Sequence, residues 1–289
     1  MKWFKKKDEN VSAPPARPDS RPSSRPAPLD DWRTDDWRTY DGVAADYARA
    51  VAPHLTEIAG DLVAFAEIPA GGRLLDVGTG TGVVLQAADN VAAFGVDPSV
   101  PMLKNARGLA VAAADTINLP FRNDTFHVAT AAFVLPMFTK LDTALFDVIR
   151  VLRPGGVLAV ATWEAGEDEL QKTWREPAER AVGEEMMRDE LRDAEPWSQV
   201  AGNKERLEQA LRDAGLHPVR VERRKYKVSI SRDDYVTEKT TESSGRFVRR
   251  MLADEWPEFL EHARATYAAT FPDVLVDFRD VLLAVGTKP

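Results

Sequence analysis

The sequence predicts an α/β fold: an open, doubly wound, mostly parallel sheet of seven strands, with helical insertions. Three observations carry this. Short apolar runs alternate with helically periodic stretches, the signature of repeated βαβ units. The run Leu74-Leu75-Asp76-Val77 empties directly into Gly78-Thr79-Gly80-Thr81-Gly82, a strand-to-turn junction where glycines let the backbone bend sharply and approach a ligand. Two longer extended runs close the chain, each after a helical stretch.

Taken in order, Val43 to about Ile68 is helical, with Ala44, Tyr47, Ala48, Val51, Leu55, Ile58, Leu62 and Phe65 at three- and four-residue steps; Pro53 breaks it in two. Strands are expected at Arg73–Val77, Ala92–Val96, Ala110–Ala113, Phe126–Ala131, Gly156–Thr162, Val219–Ile230 and Asp277–Val285. Helices are expected at Val100–Arg107, Leu141–Leu152 and Ala201–Ala214, the last stopped by Gly215. The turn Arg153-Pro154-Gly155-Gly156 separates the second of these from the fifth strand. Two helical insertions remain, an acidic one at about 164–200 and one at about 231–271 carrying Phe247, Met251, Leu252, Trp256, Phe259, Leu260 and Tyr267. They follow the fifth and sixth strands, so they either cover the crevice at the carboxyl ends of the strands or extend the core.

Residues 1–36 read as a disordered Pro/Arg-rich tail, and 37–289 as the folded unit. A tandem Asp-Asp-Trp-Arg-Thr repeat at 30–34 and 35–39 spans the boundary; its Trp32 and Trp37 either dock the tail on the domain or meet a partner.

The 289 residues contain no cysteine, which excludes disulfides, thiolate-bound zinc, iron–sulfur clusters and any Cys nucleophile. Net charge is −8, which argues against a polyanionic partner such as nucleic acid, although Arg220, Arg223, Arg224, Lys225 and Lys227 form a local basic run. No apolar run is long enough to span a membrane and no secretory signal is evident, so the expected compartment is the cytoplasm.

The glycine turn identifies a nucleotide-type site and the spacing narrows it. A dinucleotide fingerprint would place its third glycine at position 83, which is Val83; here the spacing is Gly-x-Gly-x-Gly with an acid two places earlier. Helix amides following the turn are expected to face the ligand. Further markers follow: Gly95-Val96-Asp97-Pro98-Ser99, whose carboxylate suits a pair of ribose hydroxyls, then Met102-Leu103-Lys104-Asn105-Ala106-Arg107, Asp115-Thr116-Ile117-Asn118-Leu119-Pro120-Phe121, the segment Phe126 to Leu135, and Leu152-Arg153-Pro154-Gly155-Gly156.

In this order the markers resemble class I S-adenosylmethionine-dependent methyltransferases of the small-molecule, type 11-like kind, from about Tyr40 to Trp163. The resemblance implies a Rossmann-like sheet whose last strand is antiparallel, with S-adenosyl-L-methionine as cofactor. The cofactor-binding set it implies is Tyr47, Asp76, Gly78, Thr79, Gly80, Gly82, Asp97, Pro98, Met102, Asp115, Thr116, Ile117, Ala131 and Phe133. Asp97 would hold the ribose and Asp115 the adenine amino group, with the Thr116 amide and Ile117 on the ring. His127 and Pro136 depart from the usual family residues, Asp and His. Ala131 stands where metal-dependent relatives carry an acidic ligand, so no metal is expected.

Methyl transfer needs alignment more than a fixed catalytic group, so no catalytic residue is assigned. His54, His262 and Trp163 are candidates to line the pocket, while His127 and His217 belong at the opposite edge. The expected partner is a small organic acceptor. Three rival readings stay open: a NAD-dependent oxidoreductase, a non-catalytic binding or assembly module, and a methyltransferase acting on RNA or protein.

Overall fold

The computed structural model describes residues 36–89 and 91–289, so Trp32 and most of the expected tail lie outside the described residues. Pro53 divides the first helical stretch as anticipated: Ala44–Ala50 (α1) and Thr56–Phe65 (α2) flank a 3-10 turn at Ala52–Leu55. The strands are Arg73–Val77 (β1), Ala92–Asp97 (β2), Val111–Ala113 (β3), Phe126–Ala132 (β4), Leu152–Trp163 (β5), Val219–Ser231 (β6) and Val274–Thr287 (β7). Between them run Val83–Ala87 (α3), Val100–Leu103 (α4), Leu141–Val151 (α5), Glu169–Val182 (α6), Glu184–Ala194 (α7), Ser198–Ala201 (α8), Lys204–Asp213 (α9), Arg232–Thr241 (α10), Ser243–Leu252 (α11) and Trp256–Thr270 (α12).

The seven strands form one sheet in the order β3-β2-β1-β4-β5-β7-β6. β1 to β5 are mutually parallel, and β7 is antiparallel to both β5 and β6. β7 is therefore the single reversed strand, and β6 runs in the same direction as β1 to β5. This has a spatial result: the insertions after β5 and after β6 both leave from the carboxyl edge. Pairing of β5 with β7 stops at Trp163–Val281, whereas β6 and β7 pair on to Ser231–Val274. The first half of β7 thus overhangs the sheet as a two-stranded ribbon.

Apolar layers cover both faces. Leu75, Val77, Phe126, Leu145, Leu158 and Leu282 form a core with α5 and α9 on one side. Ile58, Leu62, Phe65, Leu74 and Leu283 form another with α2 on the other. The insertions pack on each other through Trp174 against Phe259, and Tyr235 against Tyr267 fills the second one from within.

Most strand and helix boundaries differ from the sequence reading by a few residues, and three show why. β5 begins at Leu152, not Gly156: Leu152 pairs with Phe126, and Arg153–Gly156 bulges out before Val157 meets Val128. The helix expected at Val100–Arg107 stops at Leu103, because Asn105 and Ala106 bond three residues back and the chain turns at Gly108, φ +81°. The helix expected from Ala201 starts at Lys204, where the Asn203 side chain accepts from the Arg206 amide. Its C-terminal end is as anticipated: Gly215 takes φ +92° and the Leu216 amide reaches back to the Leu211 carbonyl.

The second repeat copy docks on the domain. Trp37 packs on Phe247 at 5.1 Å between ring centroids, and its carbonyl accepts from Arg246 Nε at 2.8 Å.

Candidate cofactor and acceptor site

The glycine turn is welded to the neighbouring strand. The Gly78 and Thr79 amides both donate to the Val96 carbonyl, at 2.8 and 3.0 Å. Gly78 has φ +71°, and a Cβ there would stand 2.6 Å from Val134 Cγ2, so the turn requires glycine on two counts. Asp97, at the end of β2, faces the turn: one carboxylate oxygen accepts from the Gly80 amide at 2.9 Å and the other from the Ser99 amide at 2.8 Å. Burial pushes the Asp97 carboxyl up, and these two amides oppose the shift. Asp76 lies behind the turn, 1% exposed, and accepts from Thr130 Oγ1 at 2.7 Å. Burial dominates there and raises its pKa to about 7.

Around this floor the wall is built from separate elements. Asp115 caps the 3-10 turn Thr116–Asn118, its side chain accepting from the Ile117 amide at 3.2 Å. Ile117 stays 39% exposed toward the cavity. Phe133 holds a left-handed φ of +59° just past β4, and its ring stacks on Trp163 at 4.1 Å. Such a conformation in a bulky residue is costly, of order 1–3 kcal/mol, and is maintained here by the Phe133 amide bond to Ala161 and by the stack. Tyr47 meets Tyr40 edge-on at 5.5 Å. Its phenol is pushed well above the ordinary range, first by burial, then by Tyr40, Glu238 and Asp97, and it lines the cavity.

All of the residues expected at the cofactor site line one cavity of about 1570 Å³, except Gly82 and Ala131. Gly82 serves packing: at φ +82°, a Cβ there would lie 2.4 Å from Leu109 Cδ1. Ala131 is 1% exposed and points into the apolar core; β4 runs one residue further than expected, so Ala132 and Phe133 form the wall instead. α3 has only five residues, so the expected contribution of helix amides to the ligand is small. His54 and His262 do not line the cavity, while Trp163 does. His127 faces Arg73 and Arg153 at the opposite edge.

Several residues here carry no motif. Asp41 accepts from Ser99 Oγ at 2.5 Å at the cavity rim. On the far side, Arg279 of β7 donates from Nε to Asp277 at 2.7 Å and from Nη2 to Glu238 of α10 at 2.9 Å. All three are buried and line the cavity. Burial drives the Glu238 carboxyl up, with Arg279 and Lys239 opposing. The only hint in the sequence is that Asp277 and Arg279 share the inward face of β7 with Leu275.

The residues fit a nucleoside with a charged tail. Asp97 and Asp115 are aimed at one cavity. The hydroxyls of Thr79 and Thr81, both on its lining, are buried without a hydrogen-bond partner among the described residues.

Comparisons with known proteins agree with this geometry. A family model described as "Methyltransferase domain" matches residues 75–160, from the glycine strand into β5. The chain is 30% identical over 130 residues to a tRNA (carboxymethyluridine(34)-5-O)-methyltransferase of Arabidopsis thaliana, covering 42% of this chain and 32% of that protein. It is 39% identical over 108 residues to a demethylmenaquinone methyltransferase of Roseiflexus castenholzii, covering 34% and 45%. The chain thus spans less than half the length of these curated relatives. Among solved structures it resembles the YcgJ protein of Bacillus subtilis, with TM-score 0.52 and 20% identity over 80% of this chain and 98% of that one. A putative methyltransferase of Bacillus halodurans gives TM-score 0.52 and 19% identity over 81% and 99%.

Proposed function

We propose that this chain, a class I methyltransferase by its fold and by the domain at residues 75–160, binds S-adenosyl-L-methionine and methylates O, N or C of a small organic acceptor. The observation that carries the proposal is the convergence of the Gly78–Gly80 turn, Asp97 and Asp115 on one cavity whose far wall belongs to the insertions. When bound, the cofactor supplies a methyl group on a sulfonium, an excellent leaving group.

The protein's part is then alignment and exclusion of water. Asp97 retains acceptor capacity on both oxygens for ribose hydroxyls while its amide bonds fix its rotamer. Asp115 has one oxygen spent on its own cap and one available for an amino group. Trp163 and Phe133 form an aromatic wall on the side away from Asp97, where an acceptor would rest.

Isothermal titration tests the first half: micromolar binding of S-adenosyl-L-methionine, with none of NAD, is expected, and the reverse would overturn the assignment. Incubating the protein with a cell extract and methyl-labelled cofactor tests the second; label in low-molecular-weight product is expected. Label confined to RNA or protein would assign a macromolecular acceptor instead.

A further inference from the structure

The far wall of the cavity assigns a chemical class to the acceptor. Resting on the methyltransferase reading above, we propose that Glu238 and Asp277, together with the Trp163 face, form a subsite for an amine, so that the methyl acceptor is an organic amine bound as its cation.

Two carboxylates here share one guanidinium. Arg279 bonds a single oxygen of each, at 2.7 and 2.9 Å. Glu238 is 6% exposed and Asp277 7%; Arg279 takes one oxygen of each, and its own Nη1 is buried without a partner among the described residues. The second oxygen of a carboxylate on a cavity wall is an acceptor for an N–H donor. The other cations lining the insertions' side are paired: Lys239 with Glu242 at 2.7 Å, Arg175 with Glu167 and Glu179, and the exposed Arg188 and Arg192 with Glu184 and Asp189. The wall therefore holds a surplus of negative charge, which repels carboxylates and phosphates and attracts ammonium.

The aromatic component is independent of this charge. Trp163 is stacked edge-to-wall on Phe133, 38% exposed toward the cavity, and already has the Arg279 guanidinium 5.8 Å from its ring centroid. A tryptophan face beside carboxylates is favourable for a positive nitrogen.

The reaction balances without a further reactant. The bound ammonium gives one proton to Glu238 Oε1 and becomes a neutral amine. Its nitrogen lone pair forms a bond to the methyl carbon as the carbon–sulfur bond breaks, with that electron pair remaining on sulfur. The product nitrogen then carries the positive charge, and the proton on Glu238 passes to water.

Three probes on one phenethyl skeleton test the subsite on the full-length chain saturated with S-adenosylhomocysteine: phenethylamine, 2-phenylethanol and 3-phenylpropionate, each titrated by calorimetry. Phenethylamine is expected to bind at least about tenfold more tightly than the alcohol, and the carboxylate to bind most weakly. Glu238→Gln and Asp277→Asn should each bring the amine down to the alcohol's affinity while leaving S-adenosylhomocysteine binding near wild type, with a lowered melting temperature because buried Arg279 loses a counter-charge. Equal affinities, tighter binding of the carboxylate, or no binding of the amine would overturn the proposal. Failure of S-adenosylhomocysteine itself to bind would instead overturn the methyltransferase reading, so the two failures are distinguishable. Should either variant unfold, the wild-type ranking of the three probes still decides.

Discussion

Replacing Asp76 with Asn should remove a pH dependence of stability that the wild type carries. Asp76 is 1% exposed, beneath the glycine turn, and burial raises its pKa from 3.8 to about 7. Below pH 3.8 the carboxyl is protonated in both the folded and unfolded chain and carries no penalty. Between 3.8 and about 7 the unfolded chain ionises while the folded one keeps its proton, so stability falls as pH rises; above about 7 the full penalty is in place. Three pH units at 1.36 kcal/mol each give a penalty of about 4 kcal/mol, of which about 3 kcal/mol develops between pH 5 and pH 8. Asn is isosteric, cannot ionise, and still accepts from Thr130 Oγ1. Urea unfolding of both proteins at half-unit steps from pH 5 to pH 8.5 measures the difference. The wild type should lose stability relative to the variant across this range and level off above pH 8. A constant difference, or one that favours the wild type as pH rises, refutes the reasoning.

Asp97→Ala strands the Gly80 and Ser99 amides and removes the ribose acceptor, so S-adenosyl-L-methionine affinity should fall by more than about 1 kcal/mol in calorimetry. Gly78→Ala must force a Cβ against Val134 at a positive φ; a lowered melting temperature, equivalent to about 1–3 kcal/mol, and lost cofactor binding are expected. Leu158→Ala empties a fully buried position in the middle of β5 and should cost about 2–5 kcal/mol in denaturant unfolding while leaving cofactor affinity nearly unchanged.

The cofactor half was legible in the sequence because its chemistry is local. Strand, glycines and Asp97 lie within 25 residues, and each glycine answers a backbone demand that can be seen at its own position. The acceptor half was not. Glu238 lies 41 residues before its partner Arg279, and α10 reads as a solvated polar helix although every side chain from Tyr235 to Thr241 is buried. That burial depends on contacts with α1, α11 and β7, which no periodicity reports. The misplaced start of β5 has a similar origin. Pro154-Gly155-Gly156 looks like a chain reversal, yet pairing of Leu152 with Phe126 draws it into the strand as a bulge. At Ala131 the alternation along β4 turns the side chain into the core beside Ala129, while Ala132 and Phe133 reach the cavity.

The overhanging ribbon separates two properties that many enzymes couple. Chamber depth is set by how far β6 and β7 project past Trp163, while the nucleoside slot is set by β1 and β2 on the other side of the sheet's midline. Removing two residues from each ribbon strand would shorten the chamber by about 7 Å and preserve which side chains look inward. Removing one would turn the inward row outward and present Val276 and Phe278 in place of Asp277 and Arg279. The depth of the cavity in this architecture can therefore drift in paired steps of strand length, with the glycine turn untouched.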